Sequence, residues 1–125
     1  MSREQVEARP LAHARALAAL TGATVLLKGA TTLVVPPGDG STVWSQCDAP
    51  PWLATAGAGD VLAGLLGTLL AAGLPADVAG ALGALVHGVA AEQANPGGPV
   101  RAFAVAHGIP AAVAHLLGRA APPAS

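Results

Sequence analysis

The 125-residue chain has one cysteine, Cys47, no tyrosine, one phenylalanine and two tryptophans. A lone cysteine excludes an internal disulfide and any cysteine-built zinc cluster, and it fits a reducing, cytoplasmic setting. Charge is scarce as well. Only 10% of the residues are Asp, Glu, Lys or Arg, and the net charge is −1. That leaves no basic surface with which to argue for nucleic acid or an acidic membrane face. The opening MSREQVEARP mixes acids with bases and lacks the apolar core of a secretory signal. Two apolar runs, 61–74 and 78–91, are bounded by Asp60 and Pro75 and by Asp77 and Glu92. Each falls short of the roughly 20 apolar residues of a membrane span and has the length of a buried core helix.

Small residues fill the space that large ones leave. Alanine and glycine dominate, so helices can approach a sheet and one another closely. The length suits one domain or a piece of one. Residues 3–20 read as a helix with Val6, Leu11, Leu17 and Leu20 as its larger apolar positions. Pro10 disturbs that helix and marks a proper start, and Thr21-Gly22 ends it. TVLLK, 24–28, reads as a strand buried on both faces, and TTLVV, 31–35, as a second strand. The turn PPGDG, 36–40, returns the chain as a hairpin into a third strand, STVWSQ, 41–46. Residues 48–51 are a loop. Two apolar helices follow, near 59–72 and 76–93, separated by Gly73-Leu74-Pro75. A last helix is expected over 110–119, starting at Pro110, with a loose tail at 121–125. The order predicts an α/β unit in which helices cover a sheet.

ATAGAGDVLAG, 54–64, carries the first chemical signal. A helix start exposes unpaired N–H groups and partial positive charge, and glycine lets a phosphate come close to the backbone. Ala56, Gly57, Ala58 and Gly59 therefore form a candidate anion cradle, with a helix beginning around Asp60. Asp60 beside such a cradle is a candidate base for a substrate hydroxyl; equally, it caps the helix and does nothing more. The other polar residues have plain readings. Lys28 is a solvated strand end. His87, among Leu85, Val86 and Val89, is a satisfied core histidine. His13, His107 and His115 lack metal-ligand spacing, and Cys47 has no activating partner. Trp44 sits partly exposed on its strand, and Trp52 packs a loop, on the nucleotide side if the cradle is real.

TVLLKGATT, PWLATAGAGDVLAGLLGTLLAAGL and ALVHGVAAEQA occur in that order from about residue 9 to residue 117. This arrangement resembles the C-terminal half of the NAD(P)H-hydrate dehydratases, ribokinase-like enzymes of nicotinamide-nucleotide repair. AGAGDVLAG with the upstream LKG is its most specific part. A bare G-x-G-D also fits sugar and vitamin kinases of that superfamily, while WLATAG and the later HG favour the dehydratase branch. The resemblance implies a three-layer α/β sandwich, with residues 1–125 as the C-terminal portion of the domain. It implies that Lys28, Gly29, Ala30, Thr31, Thr32 and Gly59 contact the nucleotide, ADP or ATP with Mg2+. It implies that Asp60 faces the hydrated nicotinamide ring of the substrate, hydrated NADH or NADPH. No metal-ligating residues are implied in this chain.

Two features depart from the family pattern. The N-terminal half, with its T-P-H-x-G-E motif, has no counterpart here, so a complementing N-terminal half or a second copy is the expected partner. A sheet so divided is expected to fold poorly alone and to be inactive alone. After G-P the family carries an acid within A-S-D, whereas here Arg101, Ala102 and Phe103 stand in that region. Two rival readings remain, a ribokinase-like small-molecule kinase and a non-catalytic remnant or assembly module.

Overall fold

The computed structural model describes residues 2–29, 31–38, 40–47 and 56–120. The expectations for Ala30, Trp52, the loop 48–51 and the tail lie outside them. Helix α1, Arg3–Ala8, opens with a capping box: the Gln5 amide donates to Ser2 Oγ at 3.2 Å, and the Ser2 amide donates to Gln5 Oε1 at 2.8 Å. The single helix expected over 3–20 is two, because Pro10 has no amide to continue the ladder and restricts Arg9 before it. Helix α2, Pro10–Thr21, begins on that proline and stops at Gly22, whose φ of 70° is left-handed.

Strands β1 (Val25–Leu27), β2 (Thr32–Val35) and β3 (Trp44–Gln46) form an antiparallel sheet in the order β1-β2-β3. Val25 pairs with Val35, Leu27 with Leu33, and Val34 with Trp44. The third strand starts later than expected. Ser41 Oγ donates to the carbonyls of Pro36 and Gly38, at 3.2 and 2.9 Å, which holds 41 in the turn. Alternation then assigns the faces. Val25, Leu27, Leu33 and Val35 pack with Ala14 and Ala18 of α2. Val34 and Leu26 point to the opposite face, where Gly80 of helix α4 (Ala76–Ala94) lies against them. Strand β1 is thus covered on both faces, and its residues keep partial exposure at the open sheet edge.

The face of α2 differs from expectation. Ala14 and Ala18 are buried, while Leu11, Leu17 and Leu20 are exposed, Leu20 to 83%. Small side chains allow a close helix–sheet approach, and the leucines point outward from it.

Helices α3 (Ala58–Ala71), α4 (Ala76–Ala94) and α5 (Ala102–Ala120) complete the fold. Alpha-four lies against the sheet, α3 and α5 together. Trp44 Nε1 donates to Asp77 Oδ2 at 3.2 Å and ties β3 to the first turn of α4. The last helix begins at 102 and not at Pro110, which lies inside it. An interior proline forfeits a ladder bond and costs about 3 kcal/mol in an isolated helix. Here Val105 and Ala112 are fully buried, with Ile109 packed on the same cluster, so burial against α4 carries the helix through. No helix among the described residues is long and apolar enough to cross a membrane.

Candidate active site

The turn before α3 is built by Gly57, the N-cap, with φ 88° and ψ −14°. That conformation strains any residue with a Cβ. A methyl group there would also lie 3.2 Å from Ala102 Cβ. The starts of α3 and α5 therefore touch, and two helix N-termini present their partial positive charge to one neighbourhood. Nothing local in the sequence pointed to α5 at this place. Pro110 read as the start of the last helix, which hid the turns before it.

Ala56, Gly57 and Gly59 are exposed, and Ala58 is buried at 1% exposure. A Cβ on Gly59 would meet no atom within 4 Å. The cradle is thus open above Gly59 and packed beneath Ala58, which joins Val86, Ala90 and Val105 in the core. The Asp60 and Val61 amides both donate to the Gly57 carbonyl, at 3.1 and 3.2 Å. Asp60 therefore brings its carboxylate to the site and not its N–H. That carboxylate is exposed in the first turn of α3, where the helix dipole favours its charge.

Lys28 and Gly29 leave β1 at its end, and Thr31 leads into β2. Lys28, Gly29 and Thr31 are exposed, whereas Thr32 is 7% exposed at the start of β2. Lys28 and Asp60 make no ion pair among the described residues.

His87 links these two regions. Its side chain is 1% exposed in α4, and its Nε2 is buried with no hydrogen-bond partner among the described residues. Burial holds the imidazole below its ordinary pKa of 6.5; the positive charge of Lys28 pushes it the same way, and the Ala58 main chain acts against both. The charge of Lys28 and the main chain of Ala58 therefore both act on one neutral, buried ring. The sequence reading of His87 as a core residue holds for its burial. Its Nε2 has no hydrogen-bond partner among the described residues, while the Ala58 main chain hydrogen-bonds to the ring. Cys47 is exposed at the end of β3.

Residues 2–103 match the family model described as NAD(P)H-hydrate dehydratase. The ADP-dependent (S)-NAD(P)H-hydrate dehydratase of Neisseria meningitidis serogroup B is 46% identical over 88 residues, which cover 70% of this chain and 29% of that protein. The bifunctional NAD(P)H-hydrate repair enzyme Nnr of Mycobacterium leprae is 49% identical over 85 residues, 66% of this chain and 18% of that protein. The fold matches the ADP/ATP-dependent NAD(P)H-hydrate dehydratase of Bacillus subtilis, co-crystallised with ATP/Mg2+, with a TM-score of 0.77 at 22% identity. That match covers 90% of this chain and 41% of the solved one. The chain spans less than a third of the length of these two curated relatives. The glycine turn, the acid after it and the three-layer arrangement lie within the matched residues, and the chain belongs to the NAD(P)H-hydrate dehydratase family.

Proposed function

We propose that this chain supplies the nucleotide-binding and base-bearing part of an enzyme that dehydrates hydrated NADH or NADPH, coupled to ADP or ATP. In this reading Lys28, Gly29, Ala30, Thr31 and Thr32 line the nucleotide. The backbone at Ala56, Gly57, Ala58 and Gly59 receives its phosphates, and Asp60 faces the hydroxyl to be lost. The observation that carries the reading is Gly57 at φ 88°, opening a helix with Asp60 in its first turn, in a chain of this family. The open space at Gly59 fits close approach of a phosphate to the backbone.

Among the described residues no three His, Cys, Asp or Glu side chains gather as metal ligands. Mg2+ keeps its waters and prefers substrate phosphates to an all-protein cage, so in this reading it would enter with the nucleotide. The nucleotide phosphates would hold it, and Asp60 is left free to act on the hydroxyl. The bound nucleotide supplies a phosphoryl group that, on the 6-hydroxyl, turns a poor leaving group into phosphate. Asp60 accepts the hydroxyl proton as the hydroxyl oxygen attacks the terminal phosphorus, whose bond to the nucleotide breaks and releases AMP from ADP or ADP from ATP. The helix start stabilises the negative charge that moves during transfer. The nicotinamide nitrogen then pushes its electron pair into the ring, the carbon–oxygen bond breaks with release of phosphate, and the resulting iminium loses a proton from the adjacent ring carbon to solvent, which restores the ring double bond. A complementing N-terminal half completes the enzyme, and the outer edge of β1, which no described strand covers, is the place for its backbone to pair. The lone Cys47 supports a cytoplasmic setting.

The test is Asp60→Asn in the complemented enzyme, given hydrated NADH and ADP. Turnover, followed by the return of reduced-nicotinamide absorbance, is expected to fall by ~10²-fold or more, within the range for a general base. ADP binding is expected to persist. Near-normal turnover in the variant overturns the role of Asp60. Phosphate transfer to an alcohol, with the hydrate untouched, overturns the dehydratase reading in favour of a kinase.

A further inference from the structure

A buried polar atom with no partner is a standing cost to the fold, and an aliphatic side chain would avoid it. His87 carries such an atom, Nε2, in the middle of α4. Its neighbours give the atom a use. The charge of Lys28, at the end of β1, acts on the ring, and Ala58, the first residue of α3, hydrogen-bonds to it through its main chain and packs with Val86 and Ala90 beside it on α4. Both belong to the proposed phosphate site. With the site empty of negative charge, Lys28 opposes a second positive charge on the ring. A phosphate settling between Lys28 and the start of α3 would reverse that balance.

We propose that His87 is a proton-coupled positioning residue of this site: as nucleotide phosphates bind, its vacant Nε2 takes up one proton from solvent, and the imidazolium holds the first turn of α3 against the anion. The inference rests on the nucleotide-binding reading above. The proton comes from water or buffer, and the new positive charge is balanced by the phosphate. The elements packed around the ring carry Lys28 on β1, Asp60 on α3, Asp77 and Glu92 on α4, and Arg101, His107 and His115 on α5. Of these, only Lys28 has a charge effect on the imidazole. The predicted specificity is for phosphorylated ligands, because adenosine brings no charge with which to draw the proton in.

The experiment is calorimetry of ADP binding to the full chain near pH 6.5, the ordinary histidine value, in two buffers of different ionisation enthalpy. His87→Gln, which keeps a polar side chain without the titration, is run beside it. ADP's own titration cancels in that difference. The wild type is expected to show the larger proton uptake, and its ADP affinity to gain on the variant by up to tenfold per unit fall in pH, the limit for one linked proton. Histidine ring NMR of the wild type gives a second readout that needs no folded His87 variant. With signals assigned by elimination through His13→Gln, His107→Gln and His115→Gln, the His87 ring is expected to move to its protonated position on adding ADP and to stay neutral with adenosine. ADP binding with equal proton uptake in both proteins, or with a neutral His87 ring throughout, overturns this inference and leaves the nucleotide site standing. Absence of ADP binding overturns both.

Discussion

At the start of α3 a methyl group added to Gly59 would meet no atom within 4 Å; at Gly80 in α4 it would lie 2.9 Å from Val34 Cγ1. The two helices carry similar small-residue sequences, AGDVLAGLLGTLLA and ADVAGALGALVHGVAAEQA. Their glycines meet different demands. In α4 the missing side chain lets the helix axis press onto the sheet and onto α3. In the first turn of α3 it leaves backbone open to solvent, at a cost in helix propensity that packing does not repay.

The largest expected effect breaks the packed side of that contrast. Gly80→Ala drives a methyl group into Val34, which is 1% exposed, β-branched and held in the central strand. Neither strand nor side chain can give way easily. Overpacking of this kind costs about 1–3 kcal/mol, and denaturant unfolding should show it as a lower midpoint with an unchanged slope. Gly83→Ala sharpens the point. Its nominal clash is closer, 2.6 Å, but falls on Leu66 Cδ2, the free end of a flexible and half-buried side chain. It is expected to cost less than Gly80→Ala in spite of the shorter distance. The reverse order would mean that the sheet yields more readily than the α3 leucine.

Local punctuation explains how much of this could be read without coordinates. Gly22, Gly73 and Pro75 end or begin helices through their own backbone chemistry, and the bounds of α3 and α4 came within a residue of expectation. The alternation of β2 and the turn at 36–40 were equally local. Tertiary effects were not legible. Alpha-two buries Ala14 and Ala18 and exposes its leucines, an inversion that depends on how close the sheet comes. Alpha-five passes through Pro110 because Val105 and Ala112 are buried, and those partners lie outside the local pattern. At the candidate site Gly57, Gly59 and Asp60 stood out in the sequence. The meeting of Ala102 with Gly57, and the action of Lys28 and Ala58 on His87, join segments far apart along the chain.

A smaller pair of substitutions tests the open side. Gly57→Ala must adopt φ near 88° and meet Ala102 Cβ at 3.2 Å. The left-handed conformation alone costs about 1–2 kcal/mol. Gly59→Ala has no such strain and gains helix propensity, so its stability should be unchanged or higher, by up to ~1 kcal/mol. Its ADP affinity should nevertheless fall, because the methyl group stands where a phosphate would approach. Thermal unfolding and ADP calorimetry on the same two proteins separate the effects. A Gly59→Ala protein with full affinity would show that the open space at Gly59 has no part in binding.

The smallest effect is expected from pH, because it engages one group. The folded state keeps His87 neutral, with its pKa below the ordinary 6.5. The unfolded chain therefore binds the extra proton first as pH falls. Stability should be full above about pH 7.5, a unit above the ordinary value. It should decline as pH drops through the unfolded pKa and level off below the folded one. His87→Leu removes both the titration and the unpartnered Nε2, so it should flatten this decline while holding or raising stability at neutral pH. Carboxylates contribute their own acid dependence below that window, and the difference between wild type and His87→Leu removes it. If the two unfolding profiles run parallel between pH 7.5 and 5, the ring is not buried neutral in solution. The contrast between a packed α4 and an open first turn of α3 would then lose the group that joins them.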